Sequence, residues 1–215
     1  MFGPFDGLKS FLAAFVCYCF LLPGVNASPE LPNLSNTPVI GGPCEGCDLV
    51  YQGMPGWLDL SGKIATQGEA GETLIVTGKV TRQSGAAARG VIVYAYQTNA
   101  DGVYPPGPTW HGNLRGWALT NAQGEYQFQT IRPGSYPERD EPQHIHMHVV
   151  EPGVGTYYID NIEFSDDPLR QNTTEIPSSR GGSGLVNPVR DAQEIWRVRR
   201  DIVLGLNIPG YPESP

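Results

Sequence analysis

Apolar and polar positions alternate with a period of two in six segments of this chain. Leu74–Thr81 carries Val76, Gly78 and Val80 in register. Gly90–Thr98 sets Ile92, Tyr94 and Tyr96 against Val91, Val93 and Ala95. After Gly124, Tyr126 and Phe128 alternate with Gln127 and Gln129. His144–Val150, Tyr157–Phe164 and Glu194–Leu204 read the same way. Side chains alternate between the two faces of a strand, so these six segments are expected to be β-strands, each with one face for a core. Turn signals separate them: Gln83-Ser84-Gly85, Asn99-Ala100-Asp101-Gly102, Gln123-Gly124 and Pro152-Gly153. No long amphipathic helix is evident; Asp167–Gln171 has room for one turn, and residues 175–187 read as a surface loop. Short strands at this spacing with no helices between them predict an all-β fold, an antiparallel β-sandwich or barrel with long loops and little helix.

Composition supports that picture. With 27 Gly, 20 Pro and only 17% charged residues, the 215-residue chain favours turns and strands, and its length allows one domain with a substantial core. The net charge of −8 offers no basic surface to track phosphates, so a nucleic-acid partner is not expected. Arg197, Arg199 and Arg200 form the only basic cluster and read as a strand face and its end.

Three regions are expected. Residues 1–27 look like a signal peptide: Lys9 precedes the apolar run Phe11 to Leu22, and Val25-Asn26-Ala27 fits a cleavage site. The run is short for a bilayer span, so no stable membrane insertion is expected after cleavage, and the chain reads as exported to a periplasm or the exterior. Residues 28–71 read as a flexible lead-in followed by an irregular collar, and residues 72–215 as the sandwich domain. Removal of Cys17 and Cys19 with the signal would leave Cys44 and Cys47. Half a zinc site and a redox dithiol are rivals for that pair, but a small structural disulfide suits an oxidising compartment better. Asn33-Leu34-Ser35 and Asn172-Thr173-Thr174 are glycosylation sequons that matter only in a eukaryotic source.

The chemistry concentrates in Gln143-His144-Ile145-His146-Met147-His148, which holds three of the four histidines. Residues i and i+2 of a strand share a face about 6.6 Å apart, so two of these imidazoles can converge on one metal. Tyr136, held in the turn Pro133-Gly134-Ser135-Tyr136-Pro137, could add a phenolate. Nitrogen with anionic oxygen suits iron or copper better than magnesium or calcium. An exposed polar strand face is the plain alternative. His148 stands about 13 Å along the strand from His144, too far to share an ion easily with it, and is expected beside the ligands or exposed.

Four pieces in order carry a resemblance: Thr98-Asn99-Ala100-Asp101-Gly102-Val103-Tyr104; Leu114-Arg115-Gly116-Trp117 through Phe128; Thr130-Ile131-Arg132-Pro133-Gly134-Ser135-Tyr136-Pro137; and His144-Ile145-His146. Together they resemble the intradiol ring-cleavage dioxygenases, the catechol and protocatechuate 3,4-dioxygenase family, over about residues 72–165 and more weakly through Arg200–Gly205. The chain is most similar to a short, exported branch.

The resemblance implies a β-sandwich holding non-haem Fe(III) through tyrosinates Tyr104 and Tyr136 and histidines His144 and His146, with a hydroxide in a fifth place. It also implies a catecholic substrate and O2, cleavage between the two hydroxylated carbons to a cis,cis-muconate-type diacid, and a Tyr136 that swings away to take the substrate proton. Trp110 and His111 sit in a loop that could overhang the pocket, and are candidates for substrate contact. Arg115 and Trp117 match the family's Arg-Gly segment and are expected to be structural or pocket-lining.

The better-studied branch has Arg-Pro-x-His-Ile-His, whose arginine steadies negative charge on the substrate. Here Glu141-Pro142-Gln143 precedes the histidines. Arg139 is the nearest cation and the candidate to replace that arginine in catalysis. The N-terminal helical region through which catechol-type members pair is missing, though a homodimer stays compatible. Two rival functions remain: a non-catalytic prealbumin-like binding module, and an iron- or catechol-binding protein without turnover. The set Tyr104, Tyr136, His144 and His146 discriminates, because a pure binding module has no need of it.

Overall fold

Alternating burial builds two sheets around a shared core. The computed structural model describes residues 1, 3, 31–34, 37–44, 46–170 and 179–212, so the expected signal segment and Asn172 lie outside the described residues. The strands are β1 (Ser61–Lys63), β2 (Thr73–Thr81), β3 (Ile92–Tyr96), β4 (Arg115–Leu119), β5 (Glu125–Ile131), β6 (His144–Glu151), β7 (Gly155–Phe164), β8 (Leu185–Val186), β9 (Val189–Arg190), β10 (Trp196–Arg199) and β11 (Ile202–Val203). One sheet runs β1-β5-β2-β10-β9, with β11 also on β2; the other runs β4-β3-β6-β7-β8. The expected all-β sandwich is present, but its sheets are mixed. Antiparallel ladders form the centre, while β1 on β5, β10 and β11 on β2, and β8 on β7 are parallel.

The inner faces meet in one core: Leu74, Val76 and Val80 of β2 and Tyr126 and Phe128 of β5 face Val93, Ala95, Ile145, Met147 and Val149. The five-stranded sheet is also covered on its outer face. There Ile92, Tyr94, Tyr96, Leu119 and Val150 pack with Val50, Leu58 and Tyr51 of the segment that precedes β1. That segment contains one turn of 3-10 helix, Cys47–Tyr51. This double burial explains why every residue of β3 is buried, where a one-sided sheet would alternate.

Several expectations need correcting. The run Glu194–Leu204 is two strands, because the chain turns its Arg200 side chain inward between β10 and β11. Arg200 is 1% exposed and donates to the carbonyls of Gly181 and Asp160, so a cation expected on a strand end is instead a buried clamp. β4 was not anticipated as a strand, since Arg115-Gly116-Trp117 breaks simple alternation. The sandwich begins before residue 72, because β1 already pairs with β5. Part of the supposed flexible lead-in is docked: Ile40 donates to the Thr156 carbonyl, and Leu31 and Leu34 pack on the outer cluster. In the supposed loop 175–187, Arg180 is buried and β8 joins the sheet. Residues 171–178, including Gln171 of the expected turn, lie outside the described residues.

The Arg200 clamp depends on Gly78. Tyr126 donates its hydroxyl to the Arg200 carbonyl at 2.6 Å, and a Cβ on Gly78 would run into both that carbonyl and the Tyr126 ring. Gly78→Ala is therefore expected to destabilise the fold by ~1–3 kcal/mol, as overpacking does, read as a lower urea midpoint with an unchanged m-value.

Candidate metal centre

The outer face of β6 presents His144, His146 and His148, because Ile145, Met147 and Val149 occupy the core between the sheets. The start of β6 is fixed from outside the strand. Buried Asp167 accepts the backbone N–H of Gln143 at 2.7 Å, and Arg132 donates to the Gln143 side chain at 2.8 Å. His144 donates its Nδ1–H to the Pro142 carbonyl at 2.7 Å; a carbonyl only accepts, so in the neutral ring the lone pair is the one on Nε2.

A bulge shapes the other side of His146. Ile145 pairs with Ile162 but Met147 pairs with Ile159, so one extra residue of β7 stands opposite His146. The shift lets both Ile159 and Ile162 reach the core, and the Asn161 side chain hydrogen-bonds the His146 ring. Tyr96, opposite His146 in the β3 ladder, stacks on that ring at 4.4 Å. Burial first, then the neighbouring imidazoles of His144 and His148, push His146 down to about 3, so it is neutral near pH 7.

The two tyrosines come from loops stapled together by backbone. Asn99 organises the first loop: its Oδ1 accepts from Asp101 and Val103 N–H. Its carbonyl accepts from Gly134 N–H at 2.8 Å, and Thr98 Oγ1 donates to the Gly134 carbonyl at 2.8 Å. Gly102, at φ +77°, and Gly134 let the loops touch; a Cβ on Gly102 would strike the Ser135 carbonyl.

As a result, the hydroxyls of Tyr104 and Tyr136 lie 2.7 Å apart. Tyr104 Oη is 2.9 Å from His146 Nε2, and Tyr136 Oη is 3.3 Å from His144 Nε2 and 3.5 Å from His146 Nε2. The two Nε2 atoms are 3.2 Å apart. Burial leads the causes that raise both phenol pKa values, and the charge of Glu141 adds to each. Without a cation both phenols are therefore neutral.

The four residues singled out as ligands thus converge on one point, and they fit a ferric ion. Donors about 2.0–2.2 Å from one first-row ion stand roughly 3 Å apart, which is the spacing seen. Two imidazole nitrogens with two oxygens that can become phenolates suit a trivalent iron. A nearby cation would also reverse the phenol shifts by favouring the anion.

Tyr104, Tyr136 and His146 line a cavity of about 500 Å³, whose wall also includes Pro43, Trp110, Arg139, Glu141, Tyr158 and Asn161. Of Trp110, His111, Arg115 and Trp117, expected to touch substrate, line the pocket or support it, only Trp110 lies on its wall. His111 is fully buried behind Tyr96, stacked on it at 3.7 Å, with Nδ1 2.8 Å from the Tyr94 hydroxyl. Trp117 donates Nε1–H to the Val50 carbonyl, and the Arg115 guanidinium lies 5.3 Å from the Trp117 ring, so this pair pins the 3-10 turn. Arg139 reaches the cavity, with its guanidinium 5.4 Å from the Tyr136 ring centre.

His148 is buried, and its ring lies beside Cys44 and Cys47. These three groups place donor atoms within 4.8 Å of one another, but both sulfurs are consumed in a disulfide. The sequence marks Tyr96 and Asn161 as strand positions and gives no sign that they touch the centre. Tyr96 could have been found from its alternation with Ala95 and the β3–β6 pairing; the bulge that delivers Asn161 leaves no pattern to read.

A family model described as "Dioxygenase" matches residues 59–204, and it spans every element that carries the centre. The chain belongs to the intradiol ring-cleavage dioxygenase family. It is 33% identical over 126 residues to the protocatechuate 3,4-dioxygenase beta chain of Burkholderia cepacia, covering 52% of this chain and 53% of that one. It is 33% identical over 100 residues to a catechol 1,2-dioxygenase of Candida albicans, covering 38% of this chain and 33% of that one. The chain thus spans about half the length of the first and a third of the second. Among solved structures, the dioxygenase domain of a carbohydrate-binding fusion protein from Streptomyces sp. SirexAA-E aligns with a TM-score of 0.55 at 26% identity, covering 66% of this chain and 85% of that one. An intradiol ring-cleavage dioxygenase from Tetranychus urticae shares the fold, with a TM-score of 0.52 at 22% identity over 84% of this chain and 97% of that one.

Burial pushes His111 down to about 4. Its folded pKa lies below the unfolded value of about 6.5, so the unfolded chain binds more protons between those values. The metal-free protein should keep this stability above about pH 6.5 and lose it as pH falls towards 4. Urea midpoints measured across that window should fall on acidification, and less steeply in His111→Gln.

Proposed function

We propose that this protein is a non-haem iron dioxygenase that cleaves a catecholic ring between its two hydroxylated carbons. The observation that carries this reading is the convergence of Tyr104, Tyr136, His144 and His146, all within 2.7–3.5 Å of their neighbours, beside a cavity with room for a catecholic ring. Membership of the intradiol family and the names of the relatives support it. O2 is the second substrate, and both its oxygen atoms enter the two carboxyls of a cis,cis-muconate-type product.

Those four side chains would hold Fe(III). When bound, the ion supplies Lewis acidity and a template that gathers both catechol oxygens and favours their ionised form. The remaining work falls to the chain. His144 and His146 offer fixed ring nitrogens, one oriented by the Pro142 carbonyl and the other by Asn161 and the Tyr96 stack. Tyr104 is held between Tyr136 and His146 and packs on the outer cluster, so it is the phenol that stays. Both phenols border open space, but Tyr136 lacks the packing that Tyr104 has on the outer cluster, so its Oη is the one free to move off and accept a substrate proton. Trp110 and Tyr158 give the cavity aromatic walls for a flat ring, and the buried layer of Tyr94, Tyr96 and His111 keeps water from the rear.

The same reading includes export. The expected signal segment and the Cys44–Cys47 disulfide support it, since such bonds persist in oxidising compartments.

The decisive experiment is a visible spectrum of the purified protein with iron quantified, followed by catechol in air. A tyrosinate–Fe(III) band that moves to longer wavelength and then fades as a muconate-type acid accumulates is the expected result. A protein that takes up no iron on reconstitution would sink the proposal. Tyr104→Phe and His146→Ala should each lose iron and turnover together. Asn161→Ala should bind iron about 10–100-fold more weakly, measured by chelator competition, because it removes a partner that orients His146.

A further inference from the structure

The Cys44–Cys47 disulfide lies against His148, the histidine of β6 that the four-residue centre does not use. Cys47 is 1% exposed and His148 is 3% exposed. The two Sγ atoms and a ring nitrogen of His148 all lie within 4.8 Å of one another. The backbone of His148 is fixed on both sides, opposite Tyr94 of β3 and Tyr158 of β7. Close by, His111 Nε2 is buried without a hydrogen bond among the described residues, and a Cβ on Gly46 would strike it. That unpaired nitrogen therefore faces the turn between the two cysteines.

Spacing, softness and charge agree on one class of ligand. Cys-x-x-Cys with a histidine is a zinc-type donor set. Zinc takes thiolate sulfur at about 2.3 Å and imidazole nitrogen at about 2.0–2.1 Å, so donors around one ion stand roughly 3.3–3.8 Å apart, inside the observed limit. The Cα atoms of the cysteines are 5.7 Å apart, so side-chain rotation can part the sulfurs that far once the bond between them is gone. Two thiolates balance a divalent cation, as a buried site requires. Sulfur is also softer than the phenol oxygens around His146, which keeps the two sites chemically distinct.

We propose that Cys44, Cys47 and His148 form a second metal site, for zinc(II), that exists when the disulfide is reduced, with His111 Nε2 as the polar group facing its fourth position. The ion and the disulfide are alternative fasteners of one turn, so the segment over the outer cluster is tied down in either redox state. The site does not rest on the iron-dioxygenase reading. Its formation is balanced with a phosphine as reductant. The phosphine gives two electrons to the S–S bond and takes oxygen from water, whose two protons pass to the sulfurs. Zinc then displaces both thiol protons as the two S–Zn bonds form.

The test uses the full chain with Cys17→Ser and Cys19→Ser, so that Cys44 and Cys47 are its only cysteines. Oxidised and phosphine-reduced samples are titrated with Co(II), whose near-ultraviolet sulfur-to-metal band is not given by oxygen or nitrogen ligands, and then with Zn(II). The reduced chain should develop that band up to equimolar Co(II) and lose it to Zn(II); the oxidised chain should show none. Zn(II) should also slow alkylation of both thiols by iodoacetamide. Cys47→Ser should lose most of the band. His148→Gln, checked for fold in its oxidised form by circular dichroism, should hold Zn(II) at least about tenfold more weakly, since even a group behind a metal ligand commands that much. A reduced chain without the band would overturn the inference. So would His148→Gln binding as tightly as the parent, which would reduce the site to a bare dithiol. Neither result bears on a tyrosinate–Fe(III) band, so the iron reading stands or falls separately.

Discussion

The constraint on which the site depends is the pleat of β6. Ladders to β3 and β7 on its two sides fix its register, and the core accepts only Ile145, Met147 and Val149 from one face. A slip of one residue would bury three imidazoles among aliphatic side chains and push three hydrophobes outward. The cost of either change is several buried side chains, so hydrophobic sorting alone delivers His144, His146 and His148 to the outer face. Everything else at the centre is built against that row.

The outer cluster is the second half of this arrangement. On an ordinary sandwich the outer face of a sheet is wet, and imidazoles there would be solvated. Here the segment from Cys44 to Leu58 folds back over β3 and β4, with the disulfide at one end and the Trp117–Val50 hydrogen bond along it. That cover buries Tyr94, Tyr96 and His111 behind the histidine row. The protein uses its second hydrophobic cluster to make a dry rear wall, with the side towards Trp110, Arg139 and Glu141 left open.

This division also explains what could be read from the chain. Strands whose two faces differ in polarity, such as His144–Glu151 and Glu125–Ile131, were legible because alternation is a local signal. The convergence of Tyr104 and Tyr136 with His144 and His146 was legible through the resemblance, since the residues come from three separate segments. Features that depend on a partner far along the chain were not legible. Arg200 is a buried clamp only because the carbonyls of Gly181 and Asp160 meet it, and Asn161 reaches His146 only through a bulge. His111 and Trp117 carried residue types suited to a pocket, yet the fold-back of residues 44–58 assigns them to the wall behind it.

The same dry setting sets a thermodynamic condition on the centre. Four polar side chains are held with their donor atoms 2.7–3.5 Å apart. A neutral His144 has its only ring proton committed to Pro142, so its Nε2 meets the His146 ring with a lone pair. Burial keeps the His146 imidazole neutral and both phenols protonated, so these groups bring no charge of their own to offset their desolvation. A cation that binds the folded arrangement and not the open chain reverses each of those terms at once: it pairs the lone pairs and stabilises the phenolates. Binding energy of that kind is folding energy. The loops that staple Tyr104 to Tyr136 are therefore where metal loading and stability would be coupled, because their backbone contacts bring both phenols to the histidines.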